Sequence, residues 1–249
     1  EAFYIARTGR PGPVLIDIPK NLQQEETIPD FDVKFDLTSY RPNTRCSSMQ
    51  IKKAVHAIGE SKRPLIYAGG GVVSAEASDE LKTFVRKTGI PITNTVMGLG
   101  SYPMNDPLSL QMLGMHGAVY ANIAINKADL VIALGVRFDD RVTGKLAEFC
   151  KDAKFIHVDI DASEINKNIL VDIPIQGDLK DALKVMGDLV KPKKNISPWI
   201  KQINKWKKEF PLHYDLHEND IVPQNVICQA QKLADSDAIV SVGVGQHQM

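Results

Sequence analysis

MLGMHGAVYANIAINKADLVIALGVRFDDRVTG, residues 112–144, reads in order as a loop, a helix, a buried strand and a charged loop. His116 and Gly117 precede a helical run at 118–127, so unpaired backbone N–H groups and the positive end of the helix dipole are expected beside them. An anionic group would sit there. Residues 129–135 form a short apolar run ending in Gly135, the pattern of a parallel strand buried on both faces. Arg137, Asp139, Asp140 and Arg141 follow at once and so land outside the strand's carboxyl end, where open α/β sheets collect ligands. Two guanidinium groups offer paired donors to phosphate, and carboxylates accept from a ribose or a base.

Outward from this stretch the same unit repeats. Ser47 or Ser48 caps a helix whose Ile51, Ala54, Val55 and Ile58 make one apolar stripe, and a strand follows at 65–68. After Gly69-Gly70-Gly71 comes a helix at 75–87 with Leu81, Phe84 and Val85 inward and Gly89 as its stop, then a strand at 90–95. Strands are also expected at 155–160 and 173–176, with helical patterns at 145–151 and 163–168. Asp178 caps a closing helix carrying Leu179, Ala182, Leu183, Met186 and Val190, and Lys191-Pro192 ends it. Strands alternating with helices predict an α/β domain at 46–192, a parallel sheet covered on both faces.

The flanks are less regular. Residues 1–25 read as the tail of a domain, with a helix at 1–7 closed by Gly9 and a strand at 14–18 after the stiff Pro11-Gly12-Pro13 turn. Residues 26–45 lose periodicity and read as a linker. In the 193–222 linker, Ser197-Pro198 starts a helix with Trp199, Ile203, Trp206 and Phe210 at helical spacing, stopped by Pro211. Such a helix either docks on a neighbouring domain or covers the sheet. A helix at 223–233 and a strand at 238–242 open a third unit, 223–249. The chain begins at Glu1 inside a helical pattern and stops just after a strand-like run, as an internal piece of a longer polypeptide would.

Further ligand contacts are expected at strand ends. Gly69, Gly70 and Gly71 would let a pyrophosphate approach the backbone, although a tight turn uses the same residues. The triplet does not fit the GxGxxG dinucleotide fingerprint. Asp159 closes FIHVDI where a carboxylate meets a ribose hydroxyl, or serves as a helix cap, and Gly177-Asp178 repeats the arrangement one strand later. By default Met97 and Met115 fill core gaps, Arg10 is a solvated charge and Lys20 a strand-end lysine. His213 and His217 are spaced i, i+4 without a third ligand, and His56 and His157 read as structural, so no metal site is expected within the chain.

Bulk properties exclude other classes. Thirty basic residues balance thirty acidic ones, so no global field draws the chain to nucleic acid or to an anionic membrane. No apolar run approaches the ~20 residues that span a bilayer, and no signal peptide is visible. Three well-separated cysteines without a CxxC pair argue against a disulfide framework and for a reducing cytoplasm or organelle matrix.

MLGMHG and GVRFDDRVTG, together with RPGPVLIDIPK, YAGGG, MGLGSYP, HVDID, QGD and VGVGQHQM, resemble acetohydroxyacid (acetolactate) synthase, a thiamine diphosphate enzyme. The resemblance covers nearly the whole chain and implies a Rossmann-like FAD-binding domain at 46–192. It places the end of the pyrimidine-binding domain at 1–25 and the start of the diphosphate-binding domain at 223–249. It implies FAD contacts from Gly69, Gly70, Gly71 and Ser74; from Thr95, Val96 and Met97; and from Leu113, Gly114, Met115 and His116. Gly135, Val136, Arg137, Asp139, Arg141 and Val142 follow, then Asp159, Ile160, Gly177 and Asp178. Arg10 and Gln248 would reach FAD from the flanks. Gly245, Gln246 and His247 would lie against thiamine diphosphate, and Lys20 would border a substrate channel. Two positions depart from the family pattern: Val242-Gly243 stands where Thr-Asp or Thr-Gly is usual, and Ser74 replaces a larger polar residue.

The implied reaction joins two 2-oxo acids, pyruvate with pyruvate or 2-oxobutyrate, with loss of CO2, the first common step of branched-chain amino acid biosynthesis. FAD makes no net redox contribution. Family likeness implies a homodimer or tetramer of catalytic subunits with a small regulatory subunit, in the cytoplasm or in a plastid or mitochondrial matrix. It also places the glutamate that activates thiamine upstream of Glu1 and the Gly-Asp-Gly Mg2+ site beyond Met249, so residues 1–249 alone are expected to be inactive. The alternatives are a related thiamine enzyme of the glyoxylate carboligase or pyruvate oxidase type, and a noncatalytic nucleotide-binding module.

Overall fold

The computed structural model describes residues 1–32, 37–215, 221–235, 237–243 and 245. In chain order the elements are α1 (Ala2–Arg7), α2 (Lys20–Gln23), α3 (Ser48–Glu60), β1 (Pro64–Ala68), α4 (Gly70–Ser74), α5 (Ser78–Thr88), β2 (Ile92–Asn94), β3 (Ser109–Met112), α6 (Val119–Lys127), β4 (Leu130–Leu134), α7 (Asp140–Thr143), β5 (Lys154–Asp159), β6 (Ile173–Gln176), α8 (Leu179–Leu189), α9 (Ser197–Glu209) and α10 (Pro223–Leu233).

All six strands are parallel and lie in the order β3-β2-β1-β4-β5-β6. Successive strands are added leftward from β1 to β3 and rightward from β4 to β6, so the winding reverses between β1 and β4, the switch point of a doubly wound α/β fold. Every residue of these two strands is buried, as expected of central strands covered on both faces. Helix α8 packs against both α3 and α5, and α6 packs against α9. Local chemistry sets their ends. Ser47 Oγ accepts from Gln50 N–H at 3.5 Å, Asp178 accepts from Asp181 N–H, and Gly89 in the left-handed region closes α5.

Four expected elements, at 14–18, 238–242, 145–151 and 163–168, are absent for identifiable reasons. Residues 14–18 and 238–242 form no strand; they have no ladder partner among the described residues and stay exposed, Leu15 at 93 % and Ile239 at 99 %. Residues 145–151 yield only a 3-10 turn at Leu146–Glu148, and 163–168 only turns, because Cys150 and Asn166 adopt positive φ. The helix expected at 75–87 is α5, which starts only at Ser78 because Glu76 takes φ 51°, and a short unexpected helix, α4, begins within the glycine triplet. Strand β3 was not expected at all.

Helix α9 covers its own sheet domain. Trp199 is buried and donates its indole N–H to Pro64 O at 3.0 Å, and its ring meets Trp206 edge-on. Lys193 Nζ donates to the carbonyls of Ile58, Gly59 and Ser61, closing the end of α3, and Lys207 Nζ donates to Pro107 O and Ser109 O. No helix among the described residues is long and apolar enough to cross a membrane.

Candidate cofactor site at the carboxyl edge of the sheet

The strand ends gather the expected contacts along one edge. In sheet order these are 113–116 after β3, 95–97 after β2, 69–71 after β1, 135–142 after β4, 159–160 after β5 and 177–178 after β6. Neighbouring ends are stitched together. Thr95 N–H donates to Ala68 O at 2.9 Å, Leu113 N–H to Asn94 O at 3.3 Å, and Gly177 N–H to Asp159 O at 3.0 Å.

At the switch point the glycines serve backbone packing. Gly69 N–H donates to Leu134 O and Gly71 N–H to Gly135 O, while Gly135 takes φ +59°. A Cβ on Gly71 would lie 2.6 Å from Gly135 Cα, and one on Gly69 would collide with Gly135 O. Two amides that a phosphate was expected to meet are therefore already donated to β4. A ligand would pass over this seam and meet its outer surface.

Beside the seam lies an apolar strip. Met97 and Met115, expected to fill core gaps, are 73 % and 64 % exposed, with Val96 and Val73 also open. Leu113 and Val136 bury their side chains and present backbone only. Gly114 packs against Arg141 O and Val142, and Met115 N–H donates to Arg141 O at 2.8 Å, so the β3 and β4 loops form one surface. His116 and Ser74 are exposed. The first turn of α6 lacks a side-chain cap.

Beyond the seam lies the charged loop. Arg137 and Arg141 are exposed, and Arg137 Nη2 lies 3.2 Å from Asp139 Oδ2. Asp139 Oδ1 accepts from Arg141 N–H, the first of the contacts that hold its carboxyl below the ordinary range. Between the charges Phe138 turns fully inward at φ 50°. His157 Nε2 donates to Val136 O at 3.0 Å, and Asn168 Nδ2 donates to Arg137 O at 3.2 Å and Phe138 O at 3.1 Å. Neither Phe138 nor Asn168 stands out in the sequence as a site residue, and His157 reads there as structural. The one visible signal was an aromatic residue alternating with charges in RFDDR.

Asp159 is 8 % exposed, and burial pushes its carboxyl up to about 6. The same burial pushes His157, 3.8 Å away, down to about 4. Asp178 caps α8, and Gly177 packs on Cys46 at φ +151°. Arg10 is no free charge: its Nη1 lies 2.7 Å from Glu164 Oε1 and 3.3 Å from Asp161 Oδ2, next to Asp159. Lys20 starts α2 and is exposed. Gly245 is half-buried, whereas Gln246, His247 and Gln248 lie outside the described residues, as does His217. Among the described residues no three His, Cys, Asp or Glu side chains are grouped to hold a metal ion.

Residues 51–186 match the family described as thiamine pyrophosphate enzyme, central domain. Over its whole length the chain is 48 % identical to acetolactate synthase 3, chloroplastic, of Brassica napus, covering 39 % of that protein. It is 47 % identical to acetolactate synthase 1, chloroplastic, of Zea mays, covering 40 %, and 46 % identical to its namesake in Oryza sativa subsp. japonica, covering 39 %. The chain thus spans about two fifths of the length of these relatives. A doubly wound parallel sheet, matched from α3 through most of α8, agrees with that family, and the chain belongs to the thiamine pyrophosphate enzymes through their central domain.

Proposed function

We propose that the chain is the central part of an acetolactate synthase. The whole enzyme would condense pyruvate with pyruvate or 2-oxobutyrate, releasing CO2. The observation that carries this reading is identity of 46–48 % sustained from end to end with acetolactate synthases. The reading includes a homodimeric or tetrameric catalytic subunit, a small regulatory subunit, and thiamine diphosphate with Mg2+ bound chiefly by residues outside the described ones.

FAD is the ligand proposed for the carboxyl edge. The edge suits it: an open apolar strip at Val96, Met97 and Met115 borders an exposed pair of guanidinium groups at Arg137 and Arg141. A flat ring system fits the first and a pyrophosphate the second. FAD would supply no net redox chemistry, only architecture. The residues of this chain do the holding. Asp139 fixes the Arg141 backbone and pairs with Arg137, so both cations are presented from one short loop. Asp159, Ile160, Gly177 and Asp178 would meet the far end, and Arg10, tied to Glu164, would bring residues 1–32 to the same edge.

The test expresses the complete reading frame and measures acetolactate formation and bound flavin absorbance. Active protein with stoichiometric FAD is expected, with FAD occupancy lost in Arg137→Ala and Arg141→Ala. Stoichiometric FAD in both variants removes the phosphate role, and absence of acetolactate removes the enzyme reading.

A further inference from the structure

Arg137, on the loop after β4, and Arg141, in the one-turn helix α7, are exposed cations, and exposure alone would leave their side chains mobile. Their backbone is nevertheless held from beneath and from one side. Tyr67, Ala133 and His157 form a single cross-strand row on β1, β4 and β5. Ala133 is small, and the Phe138 ring sits between its larger neighbours, with centroids 5.9 Å from Tyr67 and 5.1 Å from His157. Reaching that position forces Phe138 to φ 50°, a region a bulky residue enters only when its surroundings hold it there.

The restraint from the side is Asn168, on the connection between β5 and β6. Its amide nitrogen carries two N–H groups and faces two successive carbonyls, Arg137 O and Phe138 O. The Asn168 residue itself is exposed and contributes little to the core. From this geometry we infer that Asn168 is a positioning residue for anion binding: by fixing the peptide units on either side of Phe138, it aims Arg137 at the phosphate of the ligand. Pre-orientation matters because a guanidinium already held in place loses less freedom when it engages an anion. The inference rests on the proposed FAD reading.

The experiment measures FAD affinity of the complete protein across a range of ionic strength, alongside the thermal midpoint without FAD. Asn168→Ala is expected to weaken FAD by about tenfold. It should also flatten the salt dependence toward that of Arg137→Gln, with the FAD-free midpoint unchanged, because a misaimed cation contributes less screened attraction. If the FAD-free midpoint falls, Asn168→Ser is read in its place. Wild-type affinity in the Asn168 variant, or weakened affinity with the wild-type salt dependence, overturns the inference. Wild-type affinity in Arg137→Gln removes the phosphate role of Arg137, and absence of FAD binding by the parent protein overturns the FAD reading itself.

Discussion

Two residues apart on β5, His157 and Asp159 are driven in opposite directions by the same burial. Asp159 rises from 3.8 to about 6, and His157 falls from 6.5 to about 4. Between pH 4 and 6 folding therefore makes Asp159 take up a proton and His157 give one up. For Asp159 the folded state binds more protons, so its contribution is present below about pH 4 and is lost as pH rises through 6. For His157 the unfolded state binds more, so its contribution is present above 6.5 and is lost as pH falls toward 4. In the parent protein the two slopes oppose. Asp159→Asn should expose the His157 arm, with stability falling on acidification by up to about 3 kcal/mol, and His157→Gln should expose the reverse slope. Urea midpoints at several pH values across this window check both. Identical pH dependence in parent and variants would mean that the pair is not the source.

At the scale of elements, α9 is bolted to the sheet domain by Trp199 together with the Lys193 and Lys207 ammonium groups. Trp199→Ala is expected to cost about 3–5 kcal/mol, since it removes a buried ring and its edge contact with Trp206. Trp199→Phe should cost only about 1–2 kcal/mol, the loss of the hydrogen bond to Pro64 O. Equal losses in urea denaturation would show that the indole packing contributes nothing. The helix itself was legible from its tryptophan spacing, but its partner was not, because an amphipathic stripe says that something covers it without saying what. Central strands were legible because β1 and β4 are continuous apolar runs. Strand β3 was not. Its SLQM is an edge strand with mixed polarity, paired to β2 across a register shift near Gln111 at φ 60°. In the candidate site the charged side chains of RFDDR announced themselves. The supports beneath them did not, since Phe138 packs on Tyr67 from the first strand and Asn168 bonds back to Arg137 and Phe138 from the connection after β5.

For the whole molecule, surface area decides which parts are held. A compact monomer of 27.5 kDa exposes about 11,000 Å², whereas this chain exposes 16717 Å². Much of the excess lies at the ends: α1, α2 and α10 bury no residue, and the apolar runs at 14–18 and 238–242 are open to solvent. Between them, α3 through α9 surround one continuous core that includes Trp199 and Ile203. The autonomous unit should therefore run from about residue 46 through the end of α9 at Glu209, past the boundary at 192 that the closing helix suggested. Limited trypsin digestion of the purified chain is expected to remove both ends first, cutting near Arg41 or Arg45 and after the last lysines of α9. A fragment ending in α9 should persist, because Lys207 is engaged with Pro107 and Ser109 and the helix backbone is docked. Early cleavage at Lys193 or Lys194 with release of α9 would restore the shorter boundary. First cuts inside the sheet, or protection of the two ends for as long as the core, would mean that surface burial does not describe where this chain is held.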